Sequence, residues 1–199
     1  MEYIARTEVG FIYTMSTSPR VTIDDLKQAT IWIPAGDPLA ATFIGEIGLN
    51  PVQLSIPDVL SSLQTGLVDT VFNSLYGSIV LQWFTKAKYI TIPPFGYAYG
   101  VFLLDKKKFD KLPPNDAAVI RDAAATHFPV LIDETRKSND ESFKVLQQQG
   151  VTFVNADPES VRELEAFRQQ TVDETIGSSF SKATYARMME ILKTYRKNR

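Results

Sequence analysis

The chain has 199 residues, 44% apolar and 22% charged, with 21 basic residues against 23 acidic ones. That balance excludes intrinsic disorder and any general electrostatic case for nucleic-acid binding, and the length allows one or two domains with a sizeable core. Cysteine is absent and His127 is the sole histidine, which rules out disulfides and thiolate metal sites and would route any Ser-His-Asp triad through one ring.

No apolar run approaches the ~20 residues that span a bilayer, and Met1–Arg6 does not read as a basic-then-apolar leader. Val9–Met15 is apolar and aromatic and reads as a strand. Thr22-Ile-Asp-Asp25 has the form of a capping box, with Asp in place of Glu or Gln, and opens a short helix. Thr30–Ile33 is a strand stopped by Pro34. Asp37 and Pro38 supply an N-cap and a first-turn proline, and a helix runs through Ala41, Phe43, Ile44 and Ile47 to Gly48. Pro51–Leu54 is a short strand. Ser55 caps a helix that sets Ile56, Val59, Leu60 and Leu63 on one face and ends at a left-handed Gly66. Val68–Phe72 is again a strand. This alternation predicts α/β units around a largely parallel sheet. Ligands on such sheets bind beyond the carboxyl ends of the strands, here Pro34–Asp37, Ser55 and Asn73–Tyr76.

The second half has a different rhythm. Tyr89–Ile92 and Tyr97–Leu104 read as strands separated by Pro93-Pro94-Phe95-Gly96, and Lys106–Lys111 as a solvated basic turn. A helical pattern then runs from Pro113 to Gln149, with a kink expected at Pro129. At ~1.5 Å per residue it reaches about 55 Å, and its densely charged middle, Asp133–Glu141, predicts a solvated rod joining two lobes. His127 lies on its apolar Ile120–Leu131 face and is expected in a core or an interface. Val151–Val154 is a strand, and from Pro158 the chain is helical and polar, ending in the basic run Lys193–Arg199.

Taken in order, four segments are similar to a known family: Asp24-Asp-Leu-Lys-Gln-Ala-Thr-Ile-Trp-Ile-Pro34, Pro51-Val-Gln-Leu54, Asp58-Val-Leu-Ser-Ser-Leu-Gln-Thr-Gly-Leu-Val-Asp69, and Phe109-Asp-Lys-Leu-Pro-Pro114. The set resembles the solute-binding subunit of TRAP transporters, the dicarboxylate-type extracytoplasmic receptors. It covers most of residues 8–155, and Asp58–Asp69 is its most specific part. The resemblance implies a periplasmic-binding-protein-like α/β fold: a lobe with a mostly parallel sheet, a strand–turn–helix insert belonging to a second lobe, and a long connecting helix. In the family an N-terminal stretch precedes the point where this chain begins. Residues 1–88 and 136–199 are therefore expected to form the ligand-binding lobe, and residues 89–135 a partial segment of the other.

The implied function is a truncated periplasmic component that captures a small organic solute, an organic acid, and delivers it to TRAP-type membrane subunits. A non-transport interaction module, or a half-receptor that no longer binds solute, is the alternative. Strands and apolar residues meant for another lobe leave free edges, so a homodimer or a segment exchange between chains is expected.

In the family an arginine in the strand before the proline makes a two-pronged bond to the ligand carboxylate. Trp32 stands there in this chain, with a flat apolar face and a single N–H donor. Asn73 sits where the family has a polar ligand contact. The expected ligand-binding residues are Trp32, Asp37, Asn73, Tyr76, Tyr13 and Trp83, with Tyr97 and Tyr99 as further aromatic candidates. Each has a plainer reading: strand tryptophans pack in cores, and Asp37 is an N-cap. The sequence carries no GxGxxG, P-loop, GxSxG or metal-ligand spacing. No catalytic residue, metal or cofactor is expected, and the reading is a receptor rather than an enzyme, with no nucleic-acid partner.

Overall fold

The computed structural model describes residues 1–197, so the end of the basic Lys193–Arg199 run lies outside the described residues. The first half contains β1 (Glu2–Ser16), α1 (Ile23–Lys27), β2 (Trp32–Pro34), α2 (Pro38–Glu46), β3 (Val52–Leu54), α3 (Val59–Thr65), β4 (Thr70–Asn73) and α4 (Leu75–Val80). The second contains β5 (Tyr89–Leu104), α5 (Lys106–Phe109), α6 (Pro114–Gln148), β6 (Thr152–Asn155), α7 (Pro158–Thr175) and α8 (Lys182–Lys197).

Side-chain caps set most helix starts. Thr22 Oγ1 accepts from the Asp25 N–H while the Asp25 carboxylate accepts from the Thr22 N–H, a reciprocal box that satisfies two orphan donors. Asp37 accepts from Ala40 N–H, Ser74 from Gly77 N–H and Asp157 from Ser160 N–H, at the starts of α2, α4 and α7. Gly66 ends α3 at φ 77°. The start of α3 differs from expectation. The Ser55 hydroxyl turns to the Asp58 carboxylate, a 3-10 turn forms at Ile56–Asp58, and Ile56 is left exposed.

The sheet is mixed. β2 and β3 pair in parallel, a bridge from Ile31 to Thr70 joins them to β4 in parallel, and β6 runs parallel to the first residues of β5. Between β4 and β5 lies β1, antiparallel to both. The helical crossovers make the other strands parallel, whereas β1 enters from the opposite direction. The carboxyl ends of β2, β3, β4 and β6, together with Ile92 of β5, therefore fall at one end of the sheet. Alternation along the strands divides the core between two faces. Trp32, Val71, Trp83, Ile90 and Leu146 pack on one face, and Ile33, Ile44 and Ile47 on the other under Leu164 and Phe167 of α7.

Two expectations about β1 and β5 need correction. β1 begins at Glu2, well before the apolar run, because its outer residues take strand geometry from pairing with residues near Leu104. Nor does Pro93–Gly96 separate two strands. β5 is continuous, and the prolines, which lack an N–H to give a ladder, are accommodated in a bulge. Ile12 opposes Gly96 and Thr14 opposes Thr91, so Tyr13 alone stands against Ile92–Phe95. The outer halves, Glu2–Phe11 and Tyr97–Leu104, run on as a two-stranded ribbon beyond the sheet.

α6 has 35 residues, about 52 Å at ~1.5 Å per residue, and passes Pro129 without a break. Pro129 and Ala125, whose carbonyl loses its helical donor there, are both exposed, so water can satisfy that carbonyl. His127, expected in a core or an interface, is exposed in this chain. The middle of α6 is not a bare solvated rod. Its Asn139 Nδ2 donates to the Val9 carbonyl at 3.0 Å, and its Oδ1 accepts from the Tyr76 N–H at 3.2 Å, tying β1, α4 and α6 where the ribbon leaves the sheet.

Gly10 makes that approach possible. It has φ +114°, and a Cβ built on it would lie 2.8 Å from Asn139 Nδ2. Gly10→Ala is expected to destabilise the chain by about 1–3 kcal/mol, since it strains the backbone and displaces Asn139. Gly96→Ala, where a Cβ meets open space, should change stability by under ~0.5 kcal/mol. Paired urea denaturation curves check this, and equal midpoints for the two variants would remove the claim.

Candidate functional site

An open cleft of about 1220 Å³ lies at the carboxyl end of the sheet, under the ribbon and beside α2, α4 and α7. That exceeds the roughly 300–1,000 Å³ of most small-ligand sites. Its wall is largely apolar and aromatic: Phe43 from α2, Phe72 from β4, Phe95 from the bulge of β5 and Tyr97 just beyond it. Phe72 and Phe95 meet edge to face at 4.8 Å, which closes the sheet against the ribbon.

Of the six residues expected at a site, five line this cleft: Trp32, Asp37, Asn73, Tyr76 and Trp83. Tyr13 does not. Ile12 and Thr14 face the cleft, so the alternation of β1 turns Tyr13 to the other face, against the cluster of Met15 and Leu146. Burial there raises the pKa of the Tyr13 phenol, with Asp140 adding to the shift.

The two tryptophans are core residues first. Trp32 is 3% exposed, packs edge to face on Trp83 at 5.2 Å, and donates its indole N–H to the Leu54 carbonyl at 3.1 Å. Its only donor is therefore used, and it offers the cleft apolar surface alone. Asp37 is held by its capping bond to Ala40. Tyr76 is exposed at the start of α4, beside Asn139. Tyr97 lines the cleft, whereas Tyr99 lies on the exposed ribbon and is not part of the wall.

Asn73 is the polar group best placed to act. Its Oδ1 accepts from the Ser74 N–H at 2.8 Å, which fixes the amide, and its Nδ2 has no hydrogen-bond partner among the described residues. Gly77 is what admits this arrangement, because a Cβ there would overlap Asn73 Oδ1. Sequence reasoning missed Gly77, since nothing in one chain's spacing says that a helical glycine yields room to a side chain from the preceding strand. It also missed Phe95, hidden in a segment read as a turn.

Where the ribbon begins, the wall carries a charge cluster. Glu8 is 13% exposed and takes two bonds of 2.7 Å from the Arg136 guanidinium and one of 2.6 Å from the Tyr97 hydroxyl. These partners hold the Glu8 carboxyl below its ordinary value. The Tyr97 phenol is pushed up by burial and by the bond to Glu8, and the Arg136 guanidinium by Glu8. The cluster joins β1, β5 and α6. No group of His, Cys, Asp and Glu side chains able to hold a metal ion occurs among the described residues.

The family described as bacterial extracellular solute-binding protein, family 7, matches residues 1–178. A solute-binding protein of Verminephrobacter eiseniae is 31% identical over 123 residues, which is 61% of this chain and 36% of that protein. The TRAP periplasmic solute-binding protein of Xanthobacter autotrophicus Py2, solved with bound β-D-galacturonate, superposes with TM-score 0.80 at 20% identity over 88% of this chain and 58% of its own. One from Bradyrhizobium sp. BTAi1, in complex with D-galacturonate, gives 0.80 at 25% identity with the same coverage. Another from Desulfovibrio salexigens, with bound orotic acid, gives 0.76 at 20% identity over 98% of this chain and 61% of its own. The chain thus spans about three-fifths of the length of these solved structures.

The Glu8 cluster has a pH signature. A carboxyl whose pKa is depressed by folding contributes stability above its unfolded value, here an ordinary 4.5, and loses it as pH falls through the lower folded value. Stability is expected to drop below pH 4.5 in the native chain, and Glu8→Gln should flatten that part of the profile. Denaturation midpoints taken from pH 6 downward provide the check; an unchanged acid slope in the variant would count against it.

Proposed function

Because the chain belongs to the bacterial extracellular solute-binding proteins of family 7, we propose that it is the solute-capturing part of a TRAP-type transporter. This is a family of receptors rather than enzymes. The solute is a small organic acid, taken up in the periplasm and passed to membrane subunits. No helix of the described residues is long and apolar enough to cross a membrane, which fits a receptor that meets those subunits from outside the bilayer.

One observation carries the reading: a cleft at the carboxyl end of the sheet with an aromatic wall and an unspent amide donor at Asn73. With Trp32 buried and its N–H used, the wall favours a ligand with an apolar or ring-shaped body over a simple dicarboxylate. In this reading residues 1–88 and 136–199 form the ligand-binding lobe, and residues 89–135 belong to a second unit. The pairing of Glu2–Phe11 with Tyr97–Leu104 supports grouping the outer half of β1 with that second unit.

The ribbon also supports self-association. Beyond the cleft, Tyr99, Val101 and Leu103 alternate along one exposed face of β5. A homodimer, or an exchange of segments, would cover it. Light scattering at tens of micromolar should give a mass of twice 22.3 kDa, whereas a monodisperse monomer would refute the dimer.

A thermal-shift screen of galacturonate, orotate, phenylacetate, succinate and malate tests the binding reading. Acids with a ring are expected to raise Tm more than succinate or malate. Asn73→Ala should weaken the best of them about five- to tenfold, the value of one hydrogen bond. Gly77→Ala should do the same by displacing Asn73. Tight succinate binding untouched by either substitution would place the solute elsewhere.

A further inference from the structure

We infer that Arg168 on α7 holds the carboxylate of the solute and restricts the site to monocarboxylates, an assignment that rests on the receptor reading above. Along α7 the residues lining the cleft include Ser160, Val161, Leu164, Glu165, Arg168 and Val172. Steps of three and four place them on a single helical face. Leu164 and Phe167 are anchored in the cluster of Ile33 and Ile44, which sets the rotation of α7 and turns that face to the cleft.

Among the described residues the wall has five charged side chains: Glu8, Arg20, Asp37, Glu165 and Arg168. Glu8 is neutralised by Arg136, and Asp37 is committed as an N-cap. Arg20, whose side chain is 11% exposed, donates to the Asp25 carbonyl at 3.1 Å and to the Asp69 carboxylate at 3.0 Å. Arg168 is exposed, and no hydrogen bond or ion pair engages it among the described residues. Arg20 Nε is also buried without a partner, but both terminal nitrogens of that side chain are spent, so among the described residues Arg168 is the wall cation whose whole guanidinium fork is free. Even Glu165, one turn earlier on the same face, forms no ion pair with it.

A guanidinium offers a planar fork of donors that matches a carboxylate in two bonds. Set in a mostly apolar wall, that contact is stronger than the same contact in water. Glu165 bears on the same ligand with the opposite sign. A second carboxylate would meet the negative charges of Glu165 and of Asp37, neither of them ion-paired among the described residues, which disfavours dianions. The apolar body of the solute would then lie along Phe43 and Phe95, with a polar substituent at Asn73.

Calorimetric titration of the full chain tests this with two matched pairs of probes, phenylacetate against phenylacetamide and galacturonate against galactose. The native chain should prefer the acid in the pair that it binds. Arg168→Gln should weaken the acid about tenfold or more and leave its neutral counterpart unchanged, which removes the preference. Arg168→Lys should restore part of it, and Glu165→Gln should strengthen the acid and admit succinate. A folded Arg168→Gln variant, by circular dichroism, that keeps the full preference for the acid overturns the assignment and leaves the receptor reading intact. Failure of the native chain to bind either acid overturns both.

Discussion

β1 and β5 stay paired from Ser16 opposite Tyr89 at the inner end to Glu2 opposite Leu104 at the outer end, and the other elements take their places from that ladder. At its inner end it forms the middle of the mixed sheet, with β4 on one side and β6 on the other. At its outer end it is a ribbon packed along α6, with Phe102 stacked on Phe128 and Glu2 paired with Arg121 and Lys106. Because the same two strands cross from sheet to ribbon, the position of the ribbon over the cleft is set by the irregularities within the ladder.

Those irregularities have chemical causes. Pro93 and Pro94 give no N–H, so the ladder bulges and brings Phe95 against Phe72. The register shifts again between Glu8 and Gly10, where Glu8 meets Arg136 and Gly10 makes room for Asn139. The polar contacts at this crossing are partly open to water and each contributes modestly on its own. Their value is geometric. They hold the ribbon at a single inclination to the sheet and so give the cleft its shape.

The buried end of the molecule is held differently. Arg20 and Asp69 link the loop after β1 to the start of β4, and Asp69 also accepts from the Thr30 N–H and the Thr70 hydroxyl. One carboxylate thus ties three segments where Arg20, at the edge of the cleft wall, meets the start of β4. The Trp32–Trp83 pair fills the core just behind the cleft wall. With its indole N–H spent on the Leu54 carbonyl, Trp32 is committed to packing and presents only apolar surface to the cleft.

Much was legible in the residues themselves. Caps at Thr22 and Asp37 are reach-limited contacts between neighbours, so their order in the chain announces the helices, whereas Ser55, expected to cap α3, bonds the Asp58 carboxylate instead. The alternation of short strands and helices up to Asn73 established the α/β class, and the length of α6 could be read from its unbroken pattern. What tertiary structure alone decided depends on partners far apart in sequence. The mixed polar and apolar residues Glu2–Glu8 become a strand only because Tyr99–Leu104 lies beside them. Tyr13 is turned from the cleft by the register of β1, since a shift of one residue reverses every side chain on a strand. Trp32 spends its donor on Leu54, and Arg168 comes to face the cleft because Leu164 and Phe167 bury the adjoining face of a polar helix. Periodicity and caps are set by short-range geometry, which a sequence displays. Which side chain is left with an unused donor in a cleft follows from long-range packing, which it does not.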